Sequence, residues 1–311
     1  MITKAKISFF VKQYGWGNIT NTNTKRQHYL PKSYLSFFAT KYRKTKKSYV
    51  CFNGDDNYKL ISIVNICLYN DLYEQKMIDD DGNEIYINRN SIENSFIEIE
   101  GKYKRVINKL DSLQLKSNDM MISDEDRNIL SMFMALTIFR HPIFVNLSKK
   151  CANKIIEKTN FCGDSGYMCD VATYAFLKHF LSMDDKAIYI PAMKATIMDN
   201  NAFVLKAKNH KFITSDCPII NLNGNYKNQE FDMIGFPISP DYFLAFIDSA
   251  KDLNNKVILI GDEFVDFLNS YQVNSKVAKM IISKDIISLS QCKGGMINDQ
   301  LWFSKKGRKI Q

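Results

Sequence analysis

Apolar side chains recur at Ile92, Phe96, Ile99, Tyr103, Val106 and Leu110, at spacings of four and three, which predicts one buried helix stripe over 92–110. A second helix is expected from Ser123, whose hydroxyl and three following acids (Asp124, Glu125, Asp126) form a start signal, to Pro142 or a little past it. Its stripe reads Ile129, Phe133, Leu136 and Arg140. The segment 165–183 predicts another helix, with His179 near its end as a packing residue or C-terminal cap. Beyond Pro191 the pattern changes to strands, at AFVLKA (202–207), KFITSD (211–216), MIGFPIS (233–239) and YFLAFID (242–248), with turn residues between them that suggest antiparallel pairing. A helix follows Gly261-Asp262 and carries Phe264, Phe267, Leu268 and Tyr271. Upstream, YVCFNGDDNYKLISIVNICLY (49–69) reads as a hairpin turning at NGDD, and DDDGNE (79–84) as an exposed loop.

The fold class expected from this pattern is α+β, with a helix-rich N-terminal and central part and a mostly antiparallel sheet in the C-terminal half. No internal repeat or Pro/Gly/Ser linker divides the chain, so residues 1–311 read as a single domain with a basic N-terminal segment, 1–50.

Two positions stand out from the helical phase. Arg140 falls on the buried side of its stripe, where a guanidinium must be paired or must face a cleft that an anion can reach. Glu100-Gly101-Lys102 matches the E-x-K end of a nuclease signature, but that chemistry needs a strand, and the helical period favours a Glu98–Lys102 ion pair one turn apart.

Charge changes the picture more than composition does. The formal net charge is +9, and residues 1–50 hold eleven Lys or Arg and no Asp or Glu, so the rest of the chain sums to −2. Such asymmetry fits a polyanion partner as well as a plain solvated face. The candidate nucleic-acid contacts are Lys12, Lys25, Arg26, Lys32, Lys41, Arg43, Lys44, Lys46 and Lys47, and KKGRK (305–309) adds a second basic patch. Seven scattered cysteines without CxxC spacing read as free thiols, and apolar runs such as ISFFV (7–11) are too short for a membrane helix or a secretory signal. A cytoplasmic protein without metal, cofactor or membrane partner is the expectation. No Gly-rich phosphate loop, HExxH, G-x-S-x-G or GxGxxG is present.

Four separated blocks, QHYLPKSYLSFFA (27–39), NICLYNDLYE (65–74), FITSDCPII (212–220) and FPISP (236–240), together resemble the bacterial family catalogued as domain of unknown function 4238. The matching positions are His28, Tyr29, Pro31, Tyr34, Leu35 and Phe38; Asn65, Cys67 and Tyr73; Glu100 and Gly101; Arg140 and Pro142; Thr214, Ser215, Asp216 and Pro218; and Phe236, Pro237, Ser239 and Pro240. Ile238 replaces the usual Leu. The resemblance implies a single domain with an elaborated sheet and brings no established activity.

His28, Arg140, Ser215, Asp216 and Glu100 form the candidate catalytic set. Histidine titrates near neutrality, arginine holds a phosphate or a developing negative charge, and Asp fixes an imidazole tautomer. Pro31 pre-sets a helical turn that carries Tyr34, Leu35 and Phe38 inward and leaves His28 just outside it. The expected function is a nuclease-like hydrolase, in a toxin or anti-phage setting. The alternative is a non-catalytic nucleic-acid- or protein-binding module in which His28 caps a helix, Asp216 closes a turn and Arg140 bridges them.

Overall fold

The computed structural model describes residues 19–20, 26–52, 55, 57–78, 82–87, 89–112, 121–159, 166–181, 201–226, 229–247, 251–288 and 290. Strands β1 (Ile19–Thr20) and β2 (Arg26–His28) precede a single turn, α1 (Lys32–Leu35), which Pro31 opens with φ −57° and ψ 139°. Strands β3 (Thr40–Tyr42), β4 (Thr45–Phe52), β5 (Tyr58–Ser62), β6 (Leu68–Asn70), β7 (Lys76–Ile78) and β8 (Glu84–Ile87) follow. Helices α2 (Ser91–Ser95), α3 (Ile97–Ser112), α4 (Asp124–Arg140), α5 (Pro142–Thr159) and α6 (Gly166–Leu181) fill the middle of the chain. The remainder alternates β9 (Asn201–Ala207), β10 (Thr214–Ser215), β11 (Ile220–Tyr226), β12 (Gln229–Pro237), β13 (Tyr242–Ile247), β14 (Val257–Ile260), α7 (Asp262–Val273) and β15 (Met280–Ser283). The chain is α+β, and among the described residues no single helix is long and apolar enough to cross a membrane.

The chain groups into two compact units, each made of three stretches. The first takes Met1–Tyr29, Leu68–Gly101 and Ala135–Ala195; the second takes Leu30–Cys67, Lys102–Met134 and Thr196–Gln311. Within the first, β1, β8 and β7 form an antiparallel sheet, and β2 pairs with β6 so that His28 lies opposite Leu68.

The second unit holds the sheet β11-β12-β13-β9-β14. Its central strands β9 and β13 are near-continuous apolar runs because both of their faces are covered. Phe203, Leu205, Phe243 and Ala245 pack with Val265 and Leu268 of α7. On the other face Tyr242 donates its hydroxyl to the Leu110 carbonyl at 2.8 Å. Gly235 has to be glycine, since a Cβ there would run into the Leu244 carbonyl and the Phe243 ring. In the second sheet, β4 carries β5 along one edge and β3, then β15, along the other, with β10 beyond β15.

Several local expectations need correction. The 92–110 helix breaks into α2 and α3 at Phe96, although all six stripe residues are buried as expected. Helix α4 starts as read, with the Asp126 N–H bonded to the Ser123 hydroxyl at 3.1 Å, but it ends at Arg140, and α5 begins afresh at Pro142, which has no N–H to continue the ladder. Its buried side is no narrow stripe, because Leu130 and most residues from 133 to 140 are buried while Ile129 is only half-buried. Of KFITSD only Thr214–Ser215 is strand, and β14 pairs parallel to β9 within an otherwise antiparallel sheet. The 49–69 hairpin stops at Ser62, where a 3₁₀ turn, Ile63–Asn65, takes over from the strand.

Candidate functional site

Arg140 ends α4 only 1% exposed, and protein groups meet its guanidinium on every side. Its Nη1 donates to Glu100 Oε1 at 2.6 Å, its Nη2 donates to the His28 carbonyl, its Nε donates to the Tyr73 hydroxyl at 3.1 Å, and the Phe96 ring lies 4.5 Å from its Cζ. The Tyr73 hydroxyl also donates to the His28 carbonyl, at 3.1 Å. Burial pushes that phenol up to about 12 against the pull of Arg140, so it stays a neutral donor. The pairing demanded by the buried phase of Arg140 is therefore supplied by Glu100, and His28, 6% exposed, is held by its own backbone oxygen.

Ser215 and Asp216 belong to the second unit, where both side chains are hydrogen-bonded within the protein. Asp216 Oδ1 accepts from the N–H groups of Lys279 (2.8 Å) and Met280 (3.1 Å), which fixes the entry of β15 beside β10. Ser215 donates to Gln272 Oε1 at 2.6 Å. Thr214 and Tyr34 share a hydrogen bond of 2.6 Å, and the Tyr34 hydroxyl donates to the Pro237 carbonyl at 2.8 Å. Tyr34 also packs among the rings of Tyr103, Phe133 and Phe236, and burial raises its phenol well above the ordinary value.

A cavity of about 430 Å³ opens in the first unit, lined by polar side chains including Asn70, Asp71, Glu74, Gln75 and Lys149. The sequence pattern assigns none of these a role. Glu74 Oε1 accepts from Gln27 Nε2 at 2.6 Å and from the Asn90 N–H at 2.9 Å. Lys149 donates to the carbonyls of Leu72 (3.1 Å) and Glu74 (2.9 Å). Asp71 is held by Arg89 and by the Tyr86 hydroxyl at 3.2 Å. Burial raises the Glu74 carboxyl and lowers the Lys149 amine. Glu74 closes the block NICLYNDLYE, and that position is the one signal that could have pointed to it; Lys149 is one lysine among many and carries no such signal.

The basic residues are spread over both units. Arg26 is exposed on β2 and Lys32 on α1, while Lys12, Lys25 and KKGRK lie outside the described residues. Lys41, Arg43, Lys44 and Lys46 are exposed and Lys47 half-buried on the β3–β4 hairpin, whose two-residue turn is Arg43-Lys44. Tyr42, 44% exposed, has Lys47 Nζ 4.4 Å and Arg43 Cζ 5.7 Å from its ring centre. Among the described residues no group of three or more His, Cys, Asp or Glu is placed to hold a metal ion.

Over residues 26–285 the sequence matches the family described as Protein of unknown function (DUF4238). The chain belongs to that family. No curated protein and no solved structure matches it. Seven of the positions that carry the DUF4238 resemblance form two hubs: His28, Tyr73, Glu100 and Arg140 meet in the first unit, and Tyr34, Thr214 and Pro237 meet in the second.

Proposed function

We propose that the protein binds nucleic acid through the β3–β4 hairpin, in a cytoplasmic setting consistent with the free thiols of Cys51, Cys67, Cys151, Cys169 and Cys217. The observation that carries this reading is the exposed ring of Tyr42 set between Arg43 and Lys47. Among the described residues, none of the five hairpin cations forms an ion pair. Phosphates bind such cations with counterion release, and a base can stack on the ring. Lys41 lies directly across from Lys46, a like-charge pair that weakens strand pairing on its own and is relieved by an anion laid over it.

The test is a fluorescence-anisotropy titration of a labelled oligonucleotide at several salt concentrations, on the parent and on Arg43→Gln/Lys44→Gln/Lys46→Gln. The triple variant should bind more weakly and flatten the salt slope by roughly 0.7–0.9 for each phosphate that it no longer neutralises. No binding by the parent at low salt, or an unchanged slope, would sink the proposal.

A hydrolase acting on the bound strand, with a toxin or antiviral role, is the second reading. One observation favours it: Arg140 and Tyr73 clamp the His28 carbonyl, the kind of positioning that a proton-transfer imidazole needs. In the same assay His28→Gln should abolish cleavage and keep binding; a parent that never cleaves removes this reading and leaves the first intact.

A further inference from the structure

We infer that the cavity of the first unit is a binding site for a neutral polyhydroxylated ligand, a sugar or ribose ring, whose hydroxyls are held between Glu74 and Lys149. This goes beyond the hairpin reading and does not depend on it. At about 430 Å³ the cavity falls within the usual range for small ligands, roughly 300–1,000 Å³. No aliphatic side chain lines it, so an apolar ligand would gain little there.

The charges in the cavity are largely answered within it. Asp71 is held by Arg89 and Tyr86, and Lys76 pairs with Glu84 at the rim. An anion would face Asp71, Glu74 and Glu84, and a cation would face Lys149 and Lys76. A neutral ligand meets neither penalty.

What remains is one acceptor and one donor. Glu74 spends Oε1 on Gln27 and Asn90 and, among the described residues, leaves Oε2 without a hydrogen bond. Lys149 spends two N–H bonds on the Leu72 and Glu74 carbonyls, and an ammonium has three. A hydroxyl is the neutral group that donates and accepts at one atom, so a diol answers both. The match survives a change of protonation. If Glu74 is protonated and Lys149 neutral, the carboxyl donates and the amine lone pair accepts.

The site is also built at a backbone cost. Asp71 and Asn90 adopt φ of 51° and 64°, left-handed values that a non-glycine residue keeps only where its surroundings hold it. Asn90 uses that turn to aim its N–H at Glu74.

Saturation-transfer NMR on the full chain tests the proposal with three probes: methyl β-glucopyranoside, adenosine and 2′,3′-dideoxyadenosine. At least one diol-bearing probe should show saturable transfer, and dideoxyadenosine should show none. Preference for the glucoside assigns a free sugar, and preference for adenosine assigns ribose. Glu74→Gln should weaken binding at least tenfold. Because Glu74 also supports the fold, Asn70→Trp serves as a second variant: among the described residues its exposed side chain makes no hydrogen bond, and an indole there should block the cavity without moving the melting temperature. Absence of transfer from both diol probes overturns the assignment. So does transfer that survives Asn70→Trp, or acetate or phosphate competing as well as the sugar does.

Discussion

Thr214, Ser215 and Asp216 in the second unit close their side chains on Tyr34, on Gln272 and on the backbone at 279–280, whereas Glu74 and Lys149 in the first unit each keep one hydrogen-bonding position facing a cavity. Both sets are polar and largely withdrawn from solvent, but only Ser215 and Asp216 were expected from the sequence to do chemistry. The difference is in how far their bonds are used up. A polar group whose capacity is met inside the protein works as a fastener, because opening it to a ligand would first leave its partner unpaired. A group held firmly by one atom while another stays free is preorganised for an outside partner without that penalty. Arg140 is the extreme fastener, with its three kinds of nitrogen engaged and an aromatic ring over its face.

The sharpest way to break this comparison is at Arg140. Arg140→Leu strips the partner from Glu100 and two donors from the carbonyl and hydroxyl that they meet, and should cost about 3 to 5 kcal/mol in chemical denaturation. If the variant is as stable as the parent, Arg140 is not a strut.

Next in size is Asp216→Ala. It orphans the Lys279 and Met280 N–H groups and should cost about 2 to 3 kcal/mol, while Asp216→Asn, which keeps Oδ1, should recover most of the loss. Equal destabilisation by both variants would mean that the negative charge, and not the backbone bonding, is what the site requires.

The smallest effect sharpens the other side of the comparison. Burial raises the Glu74 carboxyl in the folded state, so between its unfolded and folded values the native chain binds more protons than the unfolded one. Its contribution is therefore most favourable below the unfolded value and declines as pH rises through the folded one. Denaturation curves at a series of pH values should show that decline in the parent, and Glu74→Gln should flatten it. A variant with the parent's pH profile would show that Glu74 is no more costly to ionise in the fold than out of it.

Helical periodicity located the buried faces of α2 and α3, because a repeat of three and four is a direct record of which side of a helix meets the core, whereas Arg140 is buried in a stretch of α4 that is covered on nearly every side. The apolar runs of β9 and β13 were legible for a similar reason, since strands covered on both faces need few polar interruptions. The eleven cations of the first fifty residues were legible too, although their display around Tyr42 was not. Tertiary structure decided the rest. It chose Glu100 as the partner of Arg140, forty residues away, and brought Tyr34 to Thr214 and Pro237 across about two hundred positions. It also turned Gln27, beside the histidine that sequence reasoning favoured, into the anchor of Glu74. Nothing local encodes those choices: periodicity reports whether a side chain is buried, but which atom ends up opposite it depends on long-range packing, and whether that atom is saturated or free is what separates a fastener from a site.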